Sequence, residues 1–309
     1  MENATQRIGV DVGGTNLRVG VVQQHQVLWE ARHNADFAQI CRSHAPELAL
    51  EQIIAELDVN IEQARKLYPG ADFVGIGFPG FIDPVSHLVT LSPNLPGLRN
   101  VDIAWPLAQR LGLPVRIEND ALAAAWGEYL LAELRPGNMI YLGLGTGVGG
   151  GLILDGKPYP GQHGVAMEVG HLIVRPGGRP CGCGNHGCLE QYASASGVAI
   201  SYRELTNAVL NAGQIAVLAG QGNRDALEAF RIAAEMLAAA LAHIMKVVDI
   251  EQVVIGGGMN AAWPLMQPAF ETALHDALIP ALRGRVQVTL ARAGDQAGML
   301  GAACLPEYR

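Results

Sequence analysis

R-I-G-V-D-V-G-G-T-N-L-R-V-G-V-V, residues 7–22, begins a pattern that the chain repeats. Two runs rich in β-branched residues flank Gly13 and Gly14, which predicts a β-hairpin with a glycine turn. Glycine allows positive φ there and lets backbone N–H groups approach the oxygen atoms of a bound anion. A plain hairpin turn explains the same glycines. This run therefore predicts two strands and leaves a bound anion open.

Helices and strands follow this hairpin, and a second hairpin, more helices and a strand follow them. Two similar α/β lobes around a cleft satisfy this order. We expect the lobes to be residues 1–118 and 119–309, with a C-terminal helix near 296–309 that packs back on the first lobe. The predicted elements after the first hairpin are a helix over 46–68, a strand over 73–78, a helix over 102–111, a strand over 114–118, a helix over 121–134, strands over 139–143 and 149–154, helices through about 248, a strand over 252–255 and a helix over 296–304.

The composition indicates a compact globular protein. Of the 309 residues, 50% are hydrophobic and 16% are charged, and the formal charge is -8. Nucleic acids and anionic membranes demand clustered Lys and Arg, which are scattered here, so we expect neither as a partner. No run approaches the roughly 18 apolar residues of a membrane helix, and residues 1–6 lack the pattern of a signal peptide. We expect a cytoplasmic protein.

Three glycine clusters follow predicted strands, and together they suit the binding of a triphosphate. Neither the Rossmann nor the Walker spacing of glycines occurs at these clusters. Asp11 precedes the first cluster, where its carboxylate could meet a metal ion bound to phosphates. A turn-capping role explains Asp11 equally well. The clusters are Gly13-Gly14-Thr15, Gly145-Thr146-Gly147 and Gly256-Gly257-Gly258.

The chain has five cysteines, and three of them lie within eight residues. His171, Cys181, Cys183 and Cys188 supply one imidazole and three thiolates, which is the complement of a closed tetrahedral zinc site. The spacing C-x-C-x4-C is not that of the common zinc fingers. The residues by themselves leave two interpretations, a metal site in a reducing compartment and buried free thiols.

Asp120 lies where a predicted strand meets an alanine-rich helix, beside Asn119. A carboxylate at such a junction could accept the proton of a substrate hydroxyl during phosphoryl transfer. Asp and Asn are also favoured helix N-caps. Position alone leaves both roles open for Asp120.

Four motifs of this sequence resemble the ROK family, named for repressors, open reading frames and kinases. They are D-V-G-G-T at 11–15, G-T-G-V-G-G-G at 145–151, E-V-G-H at 168–171 and C-x-C-G-x-x-G-C-x-E at 181–190. The resemblance covers nearly the whole chain. It implies an α/β protein with the actin-like ATPase (ribonuclease H-like) fold, and an enzyme that phosphorylates a hexose, usually at O6, with ATP and Mg²⁺. It also implies a structural Zn²⁺ on the four metal-site residues.

The resemblance implies a role for each matching residue. Asp120 is then the catalytic base, and His171 uses one ring nitrogen for zinc and the other for a sugar hydroxyl. His186 stands at a variable position and is interpreted as a solvated loop residue. The run E-Q-Y-A-S-A-S-G at 190–197 departs from the family pattern and leaves the start of the next helix open. The implied sugar-binding residues are Gly80, Asn94, Asn119, Asp120, Glu168, His171 and Glu190, and the implied nucleotide-binding residues are Asp11 and the three glycine clusters.

The family resemblance leaves the hexose open. Glucose is the first candidate because S-P-N-L-P-G and E-N-D-A are similar to runs of bacterial ROK glucokinases; N-acetylglucosamine, N-acetylmannosamine, fructose and allose remain alternatives. Some members of the family accept polyphosphate as the phosphoryl donor. The family resemblance also favours a homodimer. A repressor of this family needs roughly 70 residues of DNA-binding arm before the first strand. About six residues precede the first predicted strand here, so we disfavour a repressor-related sugar sensor. A chaperone or cytoskeletal ATPase of this fold has no reason to carry the zinc loop.

Overall fold

The structure is a computed structural model that describes residues 5–132 and 137–306. The chain forms two compact units: the first comprises Met1–Gly137, Gly151–Ala166 and Asp295–Arg309, and the second comprises Asn138–Gly150 and Met167–Gly294. The predicted lobes, 1–118 and 119–309, stay a prediction. The elements are β1 (Gln6–Val12), β2 (Asn16–Gln23), β3 (Gln26–Asn34), α1 (Phe37–Ser43), α2 (Pro46–Leu67), β4 (Ala71–Phe78), β5 (Phe81–Ile82), β6 (Val89–Leu91), α3 (Ala104–Leu111), β7 (Val115–Asn119), α4 (Asp120–Leu131), β8 (Met139–Leu144), β9 (Val148–Leu154), β10 (Lys157–Pro158), α5 (Glu190–Ala193), α6 (Ala195–Thr206), α7 (Ala212–Gly220), α8 (Arg224–Val248), β11 (Gln252–Gly256), α9 (Trp263–Ala277), β12 (Gln287–Leu290) and α10 (Ala297–Ala303), with 3-10 turns at Val169–His171, Gly258–Ala262, Pro280–Leu282 and Gly294–Gln296.

The first unit contains a five-stranded sheet with the order β3-β2-β1-β4-β7. The predicted hairpin is present, since β1 and β2 pair antiparallel, whereas β1, β4 and β7 run parallel. Helix α2 places Ile53, Leu57 and Ile61, all fully buried, in the core of this unit. Because β1, β4 and β7 are parallel, their carboxyl ends meet at one edge of the sheet, where ligands of open α/β sheets usually bind.

Helix α10 packs directly on this sheet. A Cβ atom added at Gly75 in β4 would lie 1.8 Å from the carbonyl oxygen of Ala302, so only glycine allows so close an approach. The small side chains of α10 serve the same purpose, and all seven of its residues are buried. The predicted tail helix over 296–304 is therefore present as α10, whereas residues 307–309 lie outside the described part.

The second sheet repeats the plan of the first, with the order β10-β9-β8-β11-β12. Its strands β8, β11 and β12 run parallel, as β1, β4 and β7 do. Strand β9 continues past Gly150 into the first unit, where it pairs with β10. Helix α8 contributes Phe230, Leu237 and Leu241 as fully buried side chains. The repeated order agrees with the two α/β halves that the sequence predicts.

Most predicted elements are present within one or two residues of their predicted bounds, and the glycine-rich region 156–187 is largely irregular, as predicted. The predicted helix over 121–134 begins at Asp120 and ends at Leu131, and residues 133–136 lie outside the described part. The prediction missed α1, α9, β10, the short ribbon of β5 and β6, and β3 and β12. The last two are sheet edges whose residues are all exposed or half-buried. None of the helices within the described residues is long and apolar enough to cross a membrane.

Candidate active site and metal centre

Gly80, Asn119 and Asp120 lie together at the carboxyl edge of the first sheet. Strands β4 and β7 are parallel, and Phe78 pairs with Asn119 at their ends. The side-chain nitrogen Nδ2 of Asn119 donates a hydrogen bond to the carbonyl oxygen of Gly80, at 3.1 Å. Three residues that the sequence singled out for sugar binding are thereby brought to one place within the first unit.

Asn119, and not Asp120, caps helix α4. Its Oδ1 accepts a hydrogen bond from the backbone N–H of Leu122 at 3.0 Å, which is the geometry of an N-cap. Asp120 is the first helical residue, and its Oδ1 accepts from the N–H of Ala121 at 2.8 Å. The capping role that the sequence left open for Asp120 thus belongs to its neighbour. An amide has two donors and two acceptor lone pairs, so Asn119 keeps one of each for a ligand.

Glu118 is a buried carboxyl group beside this pair, and the sequence analysis did not single it out. It is only 6% exposed, and its Oε1 accepts a hydrogen bond from the N–H of Asn119 at 2.8 Å. Burial raises the pKa of Glu118 to about 7, against a smaller lowering by that hydrogen bond and by Arg116. A glutamate at the end of a short strand carries no pattern from which its burial could be predicted.

Asp11 lies at the end of β1, opposite Arg18 of β2. Burial raises the pKa of Asp11 to about 6, while the guanidinium of Arg18 lowers it and Asp295 raises it. Its carboxylate lies against the first turn of α10, because a Cβ atom added at Gly298 would be 2.8 Å from the carboxyl carbon. Carboxylate oxygens are ligands that Mg²⁺ takes in proteins, so the chemistry of this donor is compatible with that ion.

The glycine turn after β1 is closed by a hydrogen bond from the N–H of Gly13 to the carbonyl oxygen of Asn16, at 2.8 Å. Gly14 and Thr15 are exposed at its tip. This exposed tip follows the strand end that carries Asp11.

Asn94 lies in a loop that is anchored beside Gly80. The hydroxyl of Ser92 donates to the carbonyl oxygen of Pro79, and a Cβ atom added at Gly80 would lie 3.2 Å from Cβ of Ser92. Asn94 itself is exposed. The structure places its loop next to the Gly80 turn, with the Asn94 side chain at the surface.

His171, Cys181, Cys183 and Cys188 form a cluster whose ligand atoms all lie within 4.8 Å of one another. Nδ1 of His171 is 3.7 Å from Sγ of Cys181, and Sγ of Cys183 is 3.6 Å from Sγ of Cys188. A tetrahedral zinc with its usual bond lengths sets its ligands roughly 3.6 to 3.8 Å apart. The cluster is therefore compatible with a structural Zn²⁺. His186 is exposed and lies outside it.

Backbone hydrogen bonds hold the loop that carries this cluster. The N–H of Cys181 donates to Asn185 and the N–H of Gly184 donates to Cys181, at 2.9 and 3.0 Å, which closes a tight turn around Cys183. The N–H of Leu189 donates to the carbonyl oxygen of Leu172 at 2.8 Å. This last bond pairs the chain after His171 with the chain before Glu190, so it brings together two residues predicted to bind sugar.

The two ring nitrogens of His171 face different groups. Nδ1 faces Cys181 in the cluster, and Nε2 is 3.8 Å from Oε2 of Glu168. An imidazole that binds a metal through one nitrogen keeps a proton on the other, so this orientation fits a donor toward a ligand. Burial raises the pKa of Glu168, whereas His171 lowers it and the nearby carboxylate of Glu190 raises it.

Tight backbone turns on either side of Glu168 fix the direction of its side chain. The N–H of Val169 donates to the carbonyl oxygen of Met167 at 2.6 Å, and Glu168 between them has φ -67° and ψ 53°. These values are those of an inverse γ-turn. Met167 has φ 66°, a left-handed conformation that is uncommon outside glycine and asparagine. The backbone around Glu168 is thus held in an unusual shape.

Glu190 reaches the second glycine cluster. Its Oε2 accepts a hydrogen bond from the N–H of Val148 at 3.2 Å. A Cβ atom added at Gly147 would lie 2.3 Å from the same oxygen, so glycine is required there for the carboxylate to approach. The second and third glycine clusters share one sheet edge, because β8 and β11 are parallel and Gly143 pairs with Gly256.

Helix α6 begins beside the same turn. It starts at Ala195 and is capped by Ser194, whose hydroxyl accepts from the N–H of Gly197 at 2.9 Å. The N–H of Ala195 donates to Gly145 at 2.8 Å, and the hydroxyl of Ser196 donates to the carbonyl oxygen of Thr146 at 2.9 Å. The start of this helix, which the sequence left open, is therefore set by contacts with the glycine turn.

Comparisons with known proteins agree with these features. The sequence matches the model of the ROK family over residues 7–308. It is 32% identical to a glucokinase of Thermotoga maritima, over 98% of this chain and 97% of that protein. It is 34% identical to an N-acetyl-D-glucosamine kinase of Erwinia tasmaniensis, over 96% of this chain and 98% of that protein.

The structure is similar to that of a ROK family glucokinase from Streptomyces griseus in complex with glucose and AMPPNP. The TM-score is 0.82 at 32% identity, and the match covers 97% of this chain and 98% of that one. The repeated sheet order and these relatives define the class of the protein: it is a sugar kinase with the actin-like ATPase fold. Within that class, the chain belongs to the ROK family.

Proposed function

We propose that this chain transfers the γ-phosphoryl group of ATP to the 6-hydroxyl of a hexose, with glucose as the first candidate. The placement of Asp120 carries the proposal. Because Asn119 caps helix α4, the carboxylate of Asp120 is not consumed as the cap. It stands at the first helical position, where the partial positive charge of the helix start favours an anion.

Asp120 acts as the base in the proposed reaction. It accepts the proton of the sugar O6–H while O6 forms a bond to the γ-phosphorus, and the bond between that phosphorus and the β,γ-bridging oxygen breaks. ADP leaves with the electron pair of that bond. Asn119 supports the base by holding the Gly80 turn and by offering its remaining amide donor and acceptor to sugar hydroxyls.

The glycine clusters cradle the phosphates through backbone N–H groups, since no lysine lies in them. The second and third clusters share one sheet edge in the second unit. Asp11 is the residue that would hold Mg²⁺, which neutralises charge on the phosphates when bound. The AMPPNP of the Streptomyces griseus structure, an ATP analogue, supports ATP as the donor.

The metal cluster has a structural role in this proposal. With four protein ligands a zinc ion has no open coordination position, so it does not activate water. It instead holds the loop on which Glu168, His171 and Glu190 depend. Those three side chains supply carboxylate acceptors and an imidazole donor to the hydroxyls of the sugar.

N-acetylglucosamine is the second candidate substrate. The N-acetyl-D-glucosamine kinase of Erwinia tasmaniensis is 34% identical to this chain, and the Thermotoga maritima glucokinase is 32% identical. Sequence identity at this level does not rank the two sugars. We further propose a cytoplasmic homodimer that binds neither nucleic acid nor membrane, which light scattering and fractionation would test.

A coupled assay of ADP release over a panel of sugars tests the function. The panel contains glucose, N-acetylglucosamine, N-acetylmannosamine, fructose and allose, each with ATP and with polyphosphate. We expect the highest kcat/KM for glucose with ATP. Asp120→Asn should lower kcat by about 10³-fold or more and leave sugar binding nearly unchanged. A higher kcat/KM for N-acetylglucosamine would select the second candidate, and near-normal turnover of the variant would refute the base.

A further inference from the structure

Arg179 has an unusually complete set of contacts in the second unit. Its guanidinium has five N–H groups, and acceptors are present for all of them. Nε and Nη2 donate to the carboxylate of Glu204 at 3.1 and 2.6 Å, and Nη2 also donates to the hydroxyl of Ser201 at 3.0 Å. Nη1 donates to the carbonyl oxygens of Gln191 and Gly197 at 2.5 and 3.2 Å. The side chain is only 11% exposed.

Tyr192 makes a second link to the same residue. Its hydroxyl accepts a hydrogen bond from the backbone N–H of Arg179 at 2.9 Å. The guanidinium carbon lies 4.5 Å from the centre of the Tyr192 ring, within the range of a cation–π interaction. Tyr192 is 1% exposed. Both the backbone and the side chain of Arg179 are therefore tied to helix α5.

These contacts join two segments that matter to the sugar. Arg179 lies two residues before Cys181 of the metal cluster, and Gln191 and Tyr192 directly follow Glu190. Helix α5 is a single turn of four residues, and so short a helix has little stability of its own. The metal cluster restrains the chain before Glu190 through Cys188. Arg179 restrains the chain after it.

We propose that Arg179 is a positioning residue for Glu190 and thereby sets the affinity for the sugar. The inference rests on the proposed function, because that proposal is what makes Glu190 a ligand of the sugar. Arg179 holds α5 so that the Glu190 carboxylate stays beside Val148, where its Oε2 accepts the backbone hydrogen bond. Lysine cannot replace Arg179, because a single ammonium group cannot donate to two carbonyl oxygens and also make a bidentate pair with a carboxylate.

The enzymatic test compares Arg179→Lys and Arg179→Ala with Arg203→Ala. Arg203 lies on the same helix as Ser201 and is exposed, so its variant is the matched control. We expect both Arg179 variants to keep their metal and raise the KM for the sugar by about tenfold, which is 1.4 kcal/mol. The KM for ATP should change less than about twofold. An unchanged KM for the sugar in both variants would overturn the proposal.

A double-mutant cycle separates positioning from general damage. In a Glu190→Gln background, Arg179→Lys should have little further effect on the KM for the sugar, because the carboxylate that it positions is already gone. Additive effects of the two substitutions would contradict the proposal. The amount of metal that each purified variant releases on denaturation is measured with a chelating dye and expressed per chain. A metal content equal to that of the wild type shows that the variant keeps the metal loop folded.

Hydrogen exchange gives a readout that needs no activity. Arg179→Lys should speed exchange of the amides over 188–194, and of the Val148 amide, by about tenfold, whereas Arg203→Lys should leave them unchanged. Equal protection in the two variants would overturn the inference about Glu190 even if the chain proved inactive. An inactive wild-type enzyme with the expected exchange difference would instead refute the proposed function alone.

Discussion

Glu118→Gln should make the protein more stable at alkaline pH and change its stability little at acidic pH. Glu118 is 6% exposed, and its pKa is raised from 4.5 to about 7, chiefly by burial. The native chain therefore holds a proton that the unfolded chain has already released between those pH values. Stability from this group is fully present below pH 4.5 and falls as the pH rises to about 7.

The size of the effect follows from the two pKa values. A difference of 2.5 pKa units corresponds to about 3 kcal/mol when the native carboxyl group is fully ionised, and part of this loss is already present at pH 5. Between pH 5 and pH 8 the wild-type chain should lose about 2 kcal/mol through Glu118. Glutamine does not ionise, and its Oε1 can still accept the hydrogen bond from Asn119.

Urea unfolding at pH 5 and pH 8, followed by circular dichroism, measures this difference. The stability of Glu118→Gln relative to wild type should rise by about 2 kcal/mol from the first pH to the second. Glu51→Gln, an exposed position on α2, is the control and should show no such change. A relative stability that is the same at both pH values, or that falls with pH, would refute the burial argument.

Three further substitutions have distinct expected outcomes. Cys183→Ala, or a strong chelator, should abolish activity together with the order of the metal loop, and full activity in a metal-free chain would disprove the structural role. Gly147→Ala should push aside the flexible carboxylate of Glu190, raising the KM for the sugar while thermal melting changes little; the helix-end variant Gly220→Ala is the control. Asn119→Ala removes the N-cap of α4 and should lower stability by about 1 kcal/mol in urea titrations, and an unchanged midpoint would contradict the cap.

Local and periodic features were predictable from the sequence. Glycine turns after apolar runs predicted both hairpins, helical spacing predicted α2, and a run of small residues predicted the tail helix α10. The family motifs predicted the fold class, which the comparisons confirm. Edge strands β3 and β12 were missed because a strand with one exposed side and weak alternation acquires its identity from the neighbouring strand.

In the candidate site, too, some features were predictable from the sequence and others depend on the tertiary structure. The sequence by itself determined which residue types stand in the metal cluster and the glycine clusters, because motifs depend on short spacings. Only the tertiary structure decided that Asn119 is the cap and Asp120 is not, since the two are equally good caps by type. It also decided the burial of Glu118 and the contacts of Arg179. Burial and hydrogen bonds between distant segments depend on how the chain packs, and no local pattern records that packing.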